Sequence, residues 1–418
     1  MVYNEKLREI KIGLTSIVAG KWLITRKLGE GAFGMVFECM HKSKPTERRA
    51  LKAEIIGLDR SQESLKMEVY VMKKLMSVNA VHSVQLYAAG KEKNFNYVVM
   101  TLLGMSLSDY RKRQHDEKFS LATTVLVAIQ SLDALRELHS IGFVHRDVKP
   151  SNYTVGRDSP DWIYLIDFGI SREILIVDDL TTRLRTPRHN CQFRGTTRYC
   201  TVNAHKRKEL GRHDDLISMM YMIMEMYLGS LPWKQQDRIA TERIKSENEG
   251  ELLASVPIQF KKMYEYLAGI TYFTTPNYVL LRRLLLEMKK ELNLQPPYHL
   301  DWETSPVTPF EKCNTSVGAK RAATRRSLLN EDTLNNITDI PTMLDIPDAF
   351  PDENSCSDSE RTIPSDREGS LKGLHSRISN LLIRSLTRRV SIIQGRKRRR
   401  VKMALQSLRE KLRKLNKK

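Results

Sequence analysis

Eight consecutive residues, His145-Arg146-Asp147-Val148-Lys149-Pro150-Ser151-Asn152, constrain this chain more than any other stretch, and Asp167-Phe168-Gly169 follows fifteen residues beyond Asn152. The residue types have distinct chemical capacities. Asp147 is a carboxylate that can orient a hydroxyl and accept its proton. Lys149 is a compact cation that can neutralise an anionic group beside it. Asn152 and Asp167 offer oxygen ligands suited to a hard divalent cation. Either half alone could be a charged surface loop. Between them lie Tyr153-Thr154-Val155 and Ile163-Tyr164-Leu165-Ile166, two short apolar runs separated by the turn-forming Asp158-Ser159-Pro160-Asp161. The spacing therefore predicts a hairpin that holds the two charged stretches side by side.

Composition limits what surrounds that hairpin. With 418 residues and 41% hydrophobic content, the chain can build one two-lobed domain of roughly 280 residues and carry a further segment. The net charge of +20 is uneven, because Leu371 to Lys418 holds 17 Lys/Arg against one acid, Glu410. The folded part is thus nearly balanced, which argues against a nucleic-acid-binding domain as the reading of the net charge. Five cysteines (Cys39, Cys191, Cys200, Cys313, Cys356) with no C-x-x-C point to a reducing compartment and to neither a disulfide framework nor structural zinc. The longest apolar run, Leu216 to Leu228, has 13 residues, contains Glu225 and reads as a buried helix. Val2 excludes myristoylation, the C-terminus lacks a prenylation box, and the first residues lack an apolar signal core. A soluble intracellular protein, cytoplasmic and/or nuclear, is expected.

Towards the N-terminus, Lys27-Leu28-Gly29-Glu30-Gly31-Ala32-Phe33-Gly34-Met35-Val36 alternates apolar residues around a glycine turn. This predicts a hairpin whose backbone N–H groups can approach phosphate closely. No helix pattern follows, which removes a dinucleotide-binding reading. Ala50-Leu51-Lys52 comes next. The helical spacing of Leu65, Val69, Met72 and Met76 predicts a helix over 62–76, with Glu68 as the preferred partner for Lys52 and Glu63 as an alternative nearer the helix start. Asn96 to Gly104 reads as an apolar strand ending in a linker. Ser120 can cap a helix running to His139.

Together these stretches resemble a protein kinase. The resemblance implies a bilobal α+β fold, with a small β-rich N-lobe and a larger, mainly helical C-lobe, and ATP and Mg2+ as cofactors. It implies that Leu28, Gly29, Gly31, Phe33, Gly34, Val36, Ala50, Lys52, Met100, Leu102 and Leu103 contact ATP, with Met100 as gatekeeper. Lys52 held by Glu68 would anchor the phosphates, and Asn152 and Asp167 would bind metal. Lys149 would act on the γ-phosphoryl group and Asp147 on the acceptor hydroxyl.

The segment Phe193-Arg194-Gly195-Thr196-Thr197-Arg198-Tyr199, the Val202-Asn203-Ala204-His205 that replaces the usual Ala-Pro-Glu, Gly211 to Leu216, and Leu231-Pro232-Trp233 resemble the casein kinase I superfamily, most of all its tau-tubulin kinase branch. That resemblance runs from about Trp22 to Trp302. It implies transfer to Ser or Thr, with acidic or already phosphorylated sites preferred. Thr196 would bond the catalytic Asp and Lys, Asp215 would hold the catalytic loop, and Arg194 and Arg198 would bind substrate anions. Two departures are Thr101 in the hinge and Ile170-Ser171 after the Asp-Phe-Gly. A catalytically silent kinase-fold scaffold is the competing reading, although it has no need of the complete residue set.

The expected domain plan is an N-terminal extension (1–20) and a monomeric kinase domain (21–300), divided into an N-lobe (21–101) and a C-lobe (102–300). An acidic disordered linker (301–370) and a basic amphipathic tail (371–418) follow. Asp345 to Glu368 carries Ser355, Ser357 and Ser359 among acids and prolines, while Arg396 to Arg400 is a basic cluster followed by leucines at helical spacing. The tail reads as a nuclear signal or as a binder of an acidic partner: microtubule, anionic membrane, nucleic acid or a calmodulin-type protein.

Overall fold

A computed structural model describes residues 12–31, 34–56, 64–177, 182–247 and 249–303. Phe33, Glu63, residues 304–370 of the expected linker and the whole basic tail lie outside these residues, whereas 301–303, placed at the start of the linker, are described.

The chain opens as an antiparallel sheet. Its strands are β1 (Ile17–Val18), β2 (Trp22–Gly31), β3 (Gly34–His41) and β4 (Lys44–Ile55). Helix α1 (Leu65–Ser77) follows, then β5 (Leu86–Lys91) and β6 (Phe95–Thr101). The sheet order is β1-β2-β3-β4-β6-β5, so α1 is the crossover that lets β6 slot between β4 and β5. Strand alternation sorts the side chains. Trp22, Ile24, Phe37, Cys39, Leu51, Ala53 and Val99 fill a core on one side of the sheet. Lys52 alternates with Leu51 and Ala53, and therefore stands on the other face.

The remaining described residues are mainly helical. Helix α2 (Leu107–Lys112) leads to α3 (Leu121–Ser140), where the Ser120 hydroxyl accepts from the Thr123 amide, as its capping role requires. Short strands β7 (Phe143–Val144), β8 (Tyr153–Val155) and β9 (Ile163–Leu165) come next. Strands β8 and β9 pair antiparallel in the register Tyr153↔Leu165, and form the hairpin expected between the two charged stretches. Strands β10 (Arg172–Glu173), β11 (Leu175–Val177) and β12 (Thr182–Leu184) precede α4 (Val202–His205).

Helix α5 (Arg212–Leu228) is the central helix. Leu216, Met219, Met220, Met222, Ile223, Met224 and Met226 are all fully buried, so the helix is enclosed on every side and packs as a core element. Gly229, at φ 88°, ends it by donating its amide hydrogen to the Glu225 carbonyl, the left-handed cap that glycine adopts without cost. Four further helices follow: α6 (Arg238–Glu247), α7 (Glu249–Ala254), α8 (Ile258–Ala268) and α9 (Tyr278–Glu291). Packing continues past α9. Trp302 is buried, stacks on Tyr110 and meets Phe119 edge-on. A bilobal α+β fold results, with a curled sheet at one end and a helical body at the other.

Candidate active site

Strand register sets up the first half of the site. Gly29 pairs with Val36, Val36 with Lys52, and Lys52 with Val98. Directly opposed residues share a face, so the glycine hairpin lies over the strand that carries Lys52. Two positions further along, Ala50 pairs with Met100. A methyl group built on Gly29 or Gly31 would meet open space, whereas one on Gly34 (φ 143°) would strike the Ala53 carbonyl oxygen at 2.0 Å. Gly34 is therefore required by the close strand crossing, and Gly29 and Gly31 leave their backbone open for a ligand to approach. Leu28 is exposed at the hairpin and Leu102 is buried where β6 ends. Thr101 is tied back to Gln85 by its amide and its hydroxyl, so Leu102, Leu103 and Gly104 carry the chain from one lobe to the other. The Gly104 amide then donates to the Val155 carbonyl.

Lys52 Nζ sits 2.6 Å from Glu68 Oε2 and 3.2 Å from Asp167 Oδ1. Burial opposes the charge on Lys52, but Glu68 and then Asp167 outweigh it and raise its pKa, so it stays an ammonium. Burial pushes the Glu68 carboxyl up, and Lys52 is the main opposing influence. Burial also acts against the Asp167 carboxylate, yet Lys52, His145 and Lys149 hold it below the usual range. Glu68 is placed by a second acid, on β4, that belongs to none of the motifs. Glu54, 1% exposed, accepts from the Ser64 amide, the Ser64 hydroxyl and the Leu65 amide, and so caps the start of α1.

The second half forms around Asp147. Lys149 Nζ donates to Asp147 Oδ2 at 2.6 Å, and the Thr196 hydroxyl donates to Asp147 Oδ1 at 2.7 Å. Lys149 also reaches Thr196 Oγ1 at 3.2 Å, which closes a triangle. Asn152 Nδ2 donates to the Asp147 backbone carbonyl, and this leaves its Oδ1 as the atom available to a cation. Gly195, at φ 95°, brings the Thr196 segment against the loop; a methyl group there would lie 2.6 Å from the Arg146 carbonyl oxygen.

Asp215 supports this loop from below. It accepts from the His145 amide at 2.6 Å and the Arg146 amide at 2.8 Å, and it contacts His139 Nε2 at 2.9 Å. Burial works against its charge, but His139 and these amides keep its pKa low. Burial holds His139 itself below its ordinary pKa, so at neutral pH the imidazole is uncharged. Arg146 adopts φ 68° and donates Nε to the Ile170 carbonyl, linking the loop to the residue after the Asp-Phe-Gly. Burial, with Arg172 nearby, lowers its pKa to about 10.

The two arginines expected to bind anions are placed differently from each other. Arg194 is half-buried and reaches Gln192 Oε1 at 3.4 Å. Arg198 is largely committed within the fold, because its guanidinium bonds Glu225 Oε1 at 3.2 Å and the Lys234 carbonyl. Glu225 is fully buried in α5 and also accepts from the Tyr199 hydroxyl, with Arg111 3.7 Å away. This buried hub was legible only as an acid inside an apolar run; its partners are distant in sequence.

A two-lobed fold with this constellation in the cleft defines a protein kinase domain. The protein kinase domain family matches residues 22–285, and the chain belongs to that family. It is 36% identical over 302 residues to a probable serine/threonine-protein kinase of Dictyostelium discoideum, an alignment that covers 71% of this chain and 59% of that protein. It is 34% identical over 302 residues to a putative serine/threonine-protein kinase of Caenorhabditis elegans (71% and 85%). It is also 31% identical over 276 residues to a putative casein kinase I of the same nematode (62% and 78%). A domain of this family works with ATP and a divalent metal.

Proposed function

We propose that the chain is an ATP- and Mg2+-dependent protein kinase that transfers the γ-phosphoryl group to Ser or Thr of proteins. We assign it to the casein kinase I superfamily, where its motifs most resemble the tau-tubulin kinase branch. The observation that carries the Ser/Thr reading is the triangle of Asp147, Lys149 and Thr196, in which one hydroxyl bonds both charged groups.

The site can do this chemistry mostly by positioning and electrostatics. Lys52, fixed by Glu68, takes the α- and β-phosphates. Asp147 is oriented by Lys149, Thr196 and the loop that Asp215 supports, and it points the acceptor hydroxyl and receives its proton. Lys149 offsets charge on the group in transfer. The residues present fit a hard cation. Asp167 is held ionised and the Asn152 amide oxygen is spare, and both are oxygen donors. Among the described residues no cluster of three or more His, Cys, Asp or Glu could hold a metal alone. Two protein oxygens are what a Mg2+ site shared with substrate phosphates needs. Mg2+, when bound there, supplies neutralisation of phosphate charge.

The proposed preference for acidic or primed substrates rests on half-buried Arg194, with exposed Lys206, Arg207 and Lys208 beyond it. Arg198 supports this less, since Glu225 already engages it. A serine peptide library assayed with wild type and Arg194→Ala tests the preference. Selection of acidic positions that weakens in the variant supports it, and equal use of neutral peptides rejects it. We further propose that the basic tail, residues 371–418, engages an acidic partner and that the protein acts in the cytoplasm or nucleus. No helix among the described residues is long and apolar enough to cross a membrane.

A further inference from the structure

Lys245 lies in α6, outside the nucleotide cleft, and is fully buried. Its ammonium meets carbonyls, not a carboxylate. It donates to the Thr197 oxygen at 2.8 Å and to the Cys200 oxygen at 2.6 Å. The rings of Tyr221 and Trp233 each stand 5.1 Å from Nζ and supply cation–π attraction in place of water. Trp233 completes the grip by donating Nε1 to the Arg198 carbonyl at 2.8 Å. Three carbonyls in one four-residue run, 197 to 200, are thus held from beneath. That run begins one residue after Thr196, whose hydroxyl bonds Asp147.

We infer that Lys245 is a positioning residue for the protein substrate: it shapes residues 197–200 into the surface on which the acceptor chain lies, and keeps Thr196 in register with Asp147. The inference rests on reading Asp147 as the group that orients the acceptor hydroxyl. A buried cation without an anionic partner is costly, and hydrophobic replacements of buried charges are often neutral or stabilising. A methionine could fill this space as well, so the charge needs a use beyond packing. The same burial lowers the Lys245 pKa to about 8, with the Cys200 thiol partly opposing. The other titratable or charged groups around it are His205 of α4, Arg238 of α6 itself and the Tyr221 phenol of α5, which bonds Tyr264.

The test uses the full chain, as wild type, Lys245→Met and Lys245→Gln. Phosphoryl transfer to a degenerate serine peptide library is measured beside ATP hydrolysis without acceptor, from pH 6.5 to 9. Lys245→Met is expected to lower acceptor kcat/KM about tenfold or more, while KM for ATP and acceptor-free hydrolysis stay within about twofold of wild type. Lys245→Gln, which keeps a donor, should recover part of the loss. The wild-type acceptor profile should fall as pH rises through about 8, and Lys245→Met should lack that limb. Equal loss of acceptor-dependent and acceptor-free turnover, or the same alkaline limb in both proteins, overturns the inference. If Lys245→Met does not fold, the Lys245→Gln split decides. A wild type that hydrolyses ATP yet transfers nothing to any acceptor refutes the reading of Asp147 instead.

Discussion

The Thr196 hydroxyl donates to Asp147 at 2.7 Å across 49 residues of sequence, and Lys149 bonds both. The segment that carries Thr196 is thereby locked to the residue proposed to handle the acceptor. Thr196→Ala should reduce kcat by about 10²-fold, the usual effect of removing one preorganised hydrogen bond, with KM for ATP little changed. Thr196→Ser keeps the hydroxyl and should stay within about tenfold of wild type. Steady-state kinetics on both variants checks this, and an unaffected Thr196→Ala would remove Thr196 from the site.

Lys52 and Glu68 form a buried pair at 2.6 Å, and Glu68 has little solvent to turn to, being 2% exposed. Lys52→Met removes the main influence keeping Glu68 ionised, so the carboxyl should take up a proton. Nucleotide binding, followed by thermal shift with ATP analogues, should weaken, and phosphotransfer should drop by at least about 10²-fold. Breaking one side of a buried pair costs roughly 3–5 kcal/mol when the remaining charge cannot neutralise. Because Glu68 can be protonated, a smaller stability loss is expected, and urea denaturation measures it.

Two histidines are held neutral by burial, and the sign of their effect follows. His205 is pushed down to about 4, from an ordinary 6.5, and His139 is lowered as well. The unfolded chain therefore binds protons more readily than the folded one. The His205 contribution is full above about 6.5 and is lost as pH falls towards about 4, and that of His139 is lost in the same direction. The urea midpoint should decline over this window. His205→Gln should flatten the decline by about 1–2 kcal/mol, and a variant that tracks wild type throughout would show that His205 does not contribute.

Gly195 lies at φ 95° with its hydrogen facing the Arg146 carbonyl oxygen, where a methyl group would sit at 2.6 Å. Gly195→Ala should destabilise the protein by about 1–3 kcal/mol. It should also lower kcat, because the segment carrying Thr196 must shift. Differential scanning calorimetry with a matched kinetic assay tests both.

The catalytic half of the molecule was readable because its residues act through short local motifs. Asp147, Lys149 and Asn152 share one loop, and the hairpin of β8 and β9 that brings Asp167 to them is written in two apolar runs and a turn. Asp215 and Thr196 followed from motif position alone. Glu54, Glu225 and Lys245 did not, because what each does depends on partners that only the fold brings near. Glu54 sits 10 residues before the helix end that it caps. Glu225 interrupts an apolar run, and no motif in the sequence sets Lys245 apart. Arg198 shows the converse: its motif position singles out an anion ligand, while its guanidinium is largely spent on Glu225 inside the fold.

Kinase activity should depend on Asp167, whose Oδ1 stands 3.2 Å from Lys52 Nζ. The most direct measurement compares wild type with Asp167→Ala, incubated with labelled ATP, Mg2+ and a mixed protein acceptor, with the modified residues mapped by mass spectrometry. Wild type should label serine and threonine, and Asp167→Ala should fall by about 10³-fold or more. Equal labelling by the two proteins, or none by a folded wild type that binds ATP, would contradict the account.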